Sequence, residues 1–319
     1  MGISGFLNAW SNVLSEREEN IPPFLGFDQD VVEDAFEQVP ASQHVLAAVM
    51  LGYFSILVML LFRWWENFWY PTVMDRVVVV PGAFVEKLRE TVMQGLEDEM
   101  QSDGSGDTQD KPFVSESDVL LALISNLLVS AHDLGPRTAV HVGNVFDIRP
   151  VLGITGGVYI GNATLAAYTL FQANEFGIRG GVAQSTGLGS VARKIRHALE
   201  AQRTKEQVSA CASLWKKALR ETGKLPILGD PRQVDVLCTN WQRAKFFDID
   251  FEGARVGRYG DGSTCKPSYI NVAAAGPMDL NAMRNLVTVV GKDERGNWWV
   301  QAVAREEVWE KIEKWVRVD

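Results

Sequence analysis

The stretch LCTNWQRAKFFDIDFEGA, residues 237–254, decides how the rest of the chain is read. VDVLCTNW, with its β-branched and apolar residues, predicts a strand, and AKFFDIDF predicts a second one. Strand side chains alternate, so Phe247, Ile249 and Phe251 take one face while Phe246, Asp248 and Asp250 take the other. Two carboxylates on one face read either as a D-x-D site for a divalent cation, which wants hard oxygen ligands, or as ion-paired or solvated anchors. No basic diphosphate cradle adjoins them, so no metal is assigned.

Outward from this stretch the chain alternates helices and strands. GISGFLNAWSNVL, residues 2–14, places Phe6, Leu7, Trp10 and Val13 or Leu14 on one helical face. DRVVVVP predicts a strand and AFVEKLRETVMQGL an amphipathic helix; the polar, glycine-rich 101–111 reads as a solvated loop. Ser115 and Asp118 before VLLALISNLL form a capping box, in which hydroxyl and carboxylate satisfy free N–H groups of the first turn. TAVHVGNVFDI and GGVYIGNATLAAYTLF read as strands, and residues 188–199 and 208–219 as helices with apolar stripes. NLVTVVGK-DERG-NWWVQAVA predicts a hairpin, followed by a helix with Val308, Trp309, Ile312 and Trp315 on one face. The fold class that follows is α/β or α+β with a large sheet.

Composition narrows the function. The 319 residues are 46% apolar, enough for a buried core, and the net charge of −9 excludes the Lys/Arg footprint of a nucleic-acid binder. Cys211, Cys238 and Cys265 have no CxxC spacing and cannot all pair, which argues against a zinc knuckle or disulfide framework and for a reducing compartment. MGISGF shows neither an export signal nor the myristoylation pattern. The uncharged segment 45–62, followed by Trp64, Trp65, Phe68, Trp69 and Tyr70, reads either as a membrane span of about 27 Å or as a buried or interfacial helix.

The candidate chemistry is sparse. GLGSVA, residues 187–192, formally matches a phosphate-binding fingerprint but sits in no βαβ unit, and reads as a helix start. The basic face of that helix reads as solvated. His44, His132, His141 and His197 occupy no metal or triad pattern, and the 132–133 His-Asp pair reads as a loop pair. From the residues alone no catalytic base is assigned.

The order of the pieces carries more. FVSESDVLLALI (113–124), HVGNVFDIRPVL (141–152), GVYIGNA (157–163), LCTNWQRAKFFDIDFEGA and VVGKDERGNWWV (289–300) together resemble the C-terminal half of the fungal branch of the BAHD-type acyl-CoA-dependent acyltransferases. That family includes trichothecene O-acetyltransferases and plant hydroxycinnamoyl transferases, and the resemblance extends over nearly the whole chain. It implies two chloramphenicol-acetyltransferase-like domains with a channel between them: residues 1–73 as the remainder of the first, with the apolar 45–62, and residues 74–319 as the second.

The resemblance also implies a chemistry: acyl-CoA, as acetyl-CoA, serves as co-substrate without any bound cofactor, and a hydroxyl of a small metabolite is the acceptor. GISGFLNAWSNVL resembles the helix that follows the family's H-x-x-x-D, so the general-base histidine is expected upstream of Met1 and transfer by this chain to be impaired. The family's D-F-G-W-G corresponds to Asp250-Phe251-Glu252-Gly253-Ala254, with Glu252 in place of a glycine, and implies a structural pair of Asp250 with Arg149. T-S-W corresponds to Thr239-Asn240-Trp241, which implies that Thr239 polarises the oxyanion and Trp241 lines the acceptor side; both also suit strand packing. A cytoplasmic monomer is expected, with membrane contact through 45–62 as an option. Two other readings stay open: a non-catalytic remnant that binds a ligand or partner, and a single-pass membrane protein.

Overall fold

The computed structural model describes residues 2–102, 112–178, 185–257, 265–272 and 283–316. In chain order its elements are α1 (Gly2–Leu14), β1 (Phe24–Leu25), α2 (Val31–Ala35), α3 (Tyr53–Trp69), β2 (Val73–Val80), α4 (Gly82–Ser102), α5 (Glu116–Ala131), β3 (Ala139–Asp147), β4 (Val158–Tyr159) and β5 (Thr164–Gln172). Then follow β6 (Gly177–Ile178), β7 (Ser185–Thr186), α6 (Leu188–Gln202), α7 (Lys205–Thr222), β8 (Val234–Asn240), β9 (Leu286–Lys292), β10 (Trp298–Arg305) and α8 (Glu306–Val316). Most of the loop expected at 101–111 lies outside the described residues.

Six strands form one mixed sheet in the order β2-β10-β9-β8-β3-β5. The middle strands β9, β8 and β3 run parallel, and β10, β2 and β5 are antiparallel to their neighbours. One face is dry: Val140, Val142, Val236, Cys238, Val287, Val289 and Val300 meet α4, α5, α6 and α8, with Trp298 fully buried among them. The expected capping box starts α5, where Ser115 Oγ accepts from the Asp118 N–H (3.2 Å) and Asp118 Oδ2 accepts from the Ser115 N–H (2.8 Å). The expected hairpin joins β9 to β10, its turn held by Asp293, whose Oδ1 accepts from the Arg295 and Asn297 N–H groups (both 2.9 Å). Gly291, at φ +148°, takes up the register slip beside Trp299 that a side chain would resist.

Three expectations are corrected. AKFFDIDF is not a strand. Asn240 Oδ1 accepts from the Gln242 N–H (2.9 Å), turning the chain out of β8, and 3-10 turns follow at Gln242–Ala244 and Phe246–Asp248 with Lys245 in the left-handed region between them. The buried residues Ala244, Phe246, Phe247 and Ile249 fall into pairs three apart, the period of a 3-10 helix and not of a strand. Asp248 and Asp250 therefore share no pleated face.

The apolar segment 45–62 is not one helix. Its first part is strapped to residues 227–229, with the Leu51 N–H on the Ile227 carbonyl and the Gly229 N–H on the Val49 carbonyl (both 2.8 Å), and α3 begins only at Tyr53. Among the described residues no helix is long and apolar enough to cross a membrane. α3 is anchored by charge: none of its residues is fully buried, Ile56, Met59 and Phe62 are half-buried, and Tyr53, Phe54, Trp64 and Phe68 are exposed. Arg63 reaches Asp235 (2.5 Å) and the Gln233 carbonyl (3.4 Å) on β8 and its approach, while Glu66 pairs with Arg63 (3.2 Å) and Arg305.

α1 leaves part of its apolar stripe outward, although Leu7 packs on Ala244, Phe246 and Ile249. Gly2, Ser4, Ala9 and Ser11 are buried, whereas Phe6, Trp10 and Val13 are about half exposed. Two hydroxyls bind backbone that the 3-10 turns leave unpaired: Ser4 Oγ donates to the Ala244 carbonyl (2.7 Å) and Ser11 Oγ to the Asp250 carbonyl. Satisfying buried carbonyls outweighs hiding one apolar stripe.

Arg305 is only 11% exposed and Glu66 12%, so Glu66→Ala strands a buried guanidinium. Its expected cost is about 3–5 kcal/mol, whereas Lys205→Ala, which breaks an exposed pair with Glu37, costs about 1 kcal/mol or less. Urea unfolding midpoints of the two variants measure the difference.

Candidate active site

In open sheets the carboxyl ends of parallel strands are where side chains and loops diverge to leave a crevice. Here the ends of β3, β8 and β9 carry Asp147 and Arg149, Thr239 and Asn240, and Lys292. The start of α5 meets them: Asn240 Nδ2 donates to Ser117 Oγ (3.1 Å) and Lys292 Nζ pairs with Glu116 (2.6 Å).

Thr239, Asn240 and Trp241 are brought together, each with a defined partner. The Trp241 indole N–H donates to Thr239 Oγ1 (2.9 Å), its backbone N–H donates to the Val289 carbonyl (2.8 Å), and its ring lies edge-on to Phe246 at 5.8 Å. A hydroxyl has one hydrogen and two lone pairs. Thr239 spends a lone pair on Trp241, and among the described residues nothing takes its hydrogen. It is left as a donor.

Asp250 and Arg149 are not paired, which corrects the expected structural motif. Arg149 is saturated locally by Asp147 Oδ1 (2.8 Å), the Gly161 carbonyl (2.6 Å) and the Tyr159 carbonyl (3.2 Å), with the Tyr159 ring 5.5 Å away. The nearest carboxylate in sequence, two residues back on the same strand end, wins because it needs no loop closure. Asp250 instead accepts from the Glu252 N–H (2.9 Å), and its own carbonyl receives Ser11. Gly253 is where the end of α1 comes down on this turn: a Cβ there would overlap the Leu14 carbonyl. Asp250, Glu252 and Cys265 lie close together, with Glu252 exposed, and nothing beyond their proximity marks a metal site.

Sequence reading missed a second polar cluster, on the face of the sheet opposite the dry core. His141 (β3), Tyr168 (β5), Gln233 and Asp235 border a cavity of about 470 Å³ that α7 and residues 225–228 close. His141 is 2% exposed and stacks on Tyr168, centroids 4.9 Å apart. Gln233 Nε2 lies 3.2 Å from His141 Nδ1, and Asp235 Oδ1 lies 3.8 Å from the same nitrogen. Burial holds the His141 imidazole far below its usual range, at about 4. An isolated histidine in an apolar strand gives no signal in a single sequence.

No family model matches the chain. It is 32% identical to acetyltransferase adrJ of Penicillium roqueforti over 98% of its own length and 62% of that protein's. It is 28% identical to transcriptional regulator calD of Penicillium decumbens over 97% of its length and 61% of that protein's. Among solved structures, F. sporotrichioides TRI101 complexed with coenzyme A and T-2 superposes with a TM-score of 0.65 at 17% identity, covering 98% of this chain and 62% of that one.

Its relatives include fungal acetyltransferases and O-acyltransferases, matched along nearly the whole chain. Its sheet and helices have the chloramphenicol-acetyltransferase-like fold, as the order of motifs implied. The chain spans about three fifths of the length of the relatives it matches.

Two predictions follow from this geometry. Gly253→Ala forces α1 off the 250–254 turn, at about 1–3 kcal/mol in a denaturant titration. For His141 the folded group stays neutral down to about pH 4 while the unfolded one protonates near 6.5, so the unfolded state binds more protons in between. Stability therefore falls as pH drops from 6.5 to 4, by on the order of 3 kcal/mol from His141, and is flat below. His44 and His132, which burial also lowers, act with the same sign. His141→Phe should lose its own share of that slope, read from urea midpoints at pH 7 and pH 4.5.

Proposed function

We propose that this chain is the acceptor- and oxyanion-bearing part of an acyl-CoA-dependent O-acyltransferase, which transfers an acetyl group to a hydroxyl of a small secondary metabolite. The observation that carries it is the Thr239 hydroxyl, fixed by the Trp241 indole with its hydrogen unspent at the carboxyl end of a parallel strand. A relative named an acetyltransferase, matched along nearly the whole chain, supports the choice of group.

In this reading the acceptor oxygen attacks the thioester carbonyl, giving a tetrahedral oxyanion that Thr239 O–H stabilises. Collapse breaks the C–S bond, leaving the ester and CoA thiolate, and the proton taken from the acceptor returns to the sulfur. A donor aimed at the developing oxyanion lowers the barrier because its dipole is already oriented. Asn240 fixes the strand end through Ser117 and Gln242, and Trp241 walls the acceptor side. The base that removes the proton is the histidine of the family's H-x-x-x-D, a pattern absent from these 319 residues. The division at residues 73 and 74, with the first part belonging to a domain that carries this base, is part of the same proposal.

A second reading, a non-catalytic binding module, is favoured by the missing pattern and by a relative named a transcriptional regulator. Thiol release from acetyl-CoA, followed with a colorimetric disulfide reagent and a panel of hydroxylated acceptors, separates the two. A protein spanning the full length of the relatives should turn over, this chain alone far less. Thr239→Val in the longer protein should lower kcat about 100-fold with KM little changed, and Thr239→Ser should keep most activity. No thiol release from the longer protein would sink the enzyme reading, and an unaffected Thr239→Val would remove Thr239 from the mechanism.

A further inference from the structure

α3 turns its strongest apolar stripe away from the protein. At about 100° per residue, Tyr53, Leu57, Leu60, Leu61, Trp64 and Phe68 fall within one arc of roughly 100°, and Met59 and Glu66 lie opposite it. All six are exposed, from 46% at Leu57 to 89% at Tyr53, and no charged residue falls between them. Six aromatic rings of α3 are more than half exposed. At ~150–250 Å² each, the rings alone present roughly 600–1,000 Å². A monomer seldom leaves an apolar patch above about 300–600 Å² open, and each partner of a stable complex contributes about 800 Å².

The helix is fixed before anything docks on it. Arg63 and Glu66 tie its inner side to Asp235 and Arg305. On the outer side Trp64 stacks on Phe68 at 6.2 Å, and Trp65 meets Trp69 edge-on at 5.6 Å. Rings already held against one another lose little freedom when a partner covers them.

Spacing identifies the occupant. The six positions of the stripe are symmetric about the point between Leu60 and Leu61. A two-fold axis through that point lays a second α3 antiparallel on the first. Leu60 of one copy then faces Leu61 of the other, Leu57 faces Trp64, and Tyr53 faces Phe68. The same patch serves both copies, so the contact closes at two. A lipid surface fits less well, because helices that lie in it carry Lys and Arg along their polar side. The one cation of α3, Arg63, is spent on Asp235, and the net charge of the chain is −9.

We propose that α3 is the interface of a homodimer, two copies packing antiparallel about a two-fold axis between Leu60 and Leu61. The contact involves neither acyl donor nor acceptor, so this reading and the acyl-transfer reading can fail independently.

Sedimentation velocity of this chain at about 1–100 μM, a range in which interfaces of this size associate, should show a species of twice the 35.4 kDa monomer. Leu60→Glu combined with Leu61→Glu gathers four carboxylates at the axis and should weaken association about 100-fold or more. Both side chains are exposed in the single copy, so the variant should keep its melting temperature. Cysteine variants, oxidised beside the unaltered chain, read the register. Leu60→Cys should link to itself across the axis. Tyr53→Cys and Phe68→Cys should link only when mixed, since the two Tyr53 positions are about 22 Å apart at ~1.5 Å per residue. A monomer throughout the concentration range, including one that instead adsorbs to phosphatidylcholine vesicles, would overturn the proposal. So would aggregates of no fixed size, or a dimer that survives the paired Glu substitutions.

Discussion

A single guanidinium sets much of this architecture. Arg63 projects from α3, a helix with no buried residue of its own, and binds Asp235 and the Gln233 carbonyl at the start of β8 while pairing with Glu66, which in turn meets Arg305 on β10. Apolar burial holds the other face of the sheet, but across this face the attachment is ionic and directional. Such a clamp is sensitive to loss of one member, because the remaining charge stays buried. It also reaches further than its own helix, to a carboxylate and a backbone carbonyl beside the His141 cavity.

The two ends of the β3–β8 pair consequently differ in chemistry. At the start, His141, Gln233 and Asp235 form a polar cluster bordering a cavity. At the carboxyl end, Trp241 bonds to Thr239 and Asn240 bonds to α5, and among the described residues the Thr239 hydrogen is unspent. α1 closes the second end from outside, through two serines on the 3-10 turns and the close approach at Gly253.

Large aromatic surfaces remain open on α1 and α3. They are the counterpart of attachment by hydroxyls and charges: each helix satisfies polar groups on its inner face and leaves much of its aromatic surface outward. A pattern that a sequence reads as core, or even as membrane span, is here the uncovered side of a helix.

The sequence by itself determined the elements whose signals are local. The Ser115–Asp118 capping box, the Asp293 turn with its flanking strands, the stripe of α6 and the order of family motifs were all legible, since each rests on residues a few positions apart. Thr239 and Trp241 were legible as candidates from the motif order. What tertiary structure alone decided are the pairings between distant residues: Arg149 with Asp147 and not Asp250, α1 by its serines and not its aromatics, α3 by Arg63, and the His141 cluster drawn from β3, β5 and the approach to β8. Alternation in FFDIDF matched a strand, but Asn240 had already capped the chain into 3-10 turns. Apolar periodicity reports that a face exists. Which face is buried depends on which backbone carbonyls and charges elsewhere need a partner, and no local window contains them.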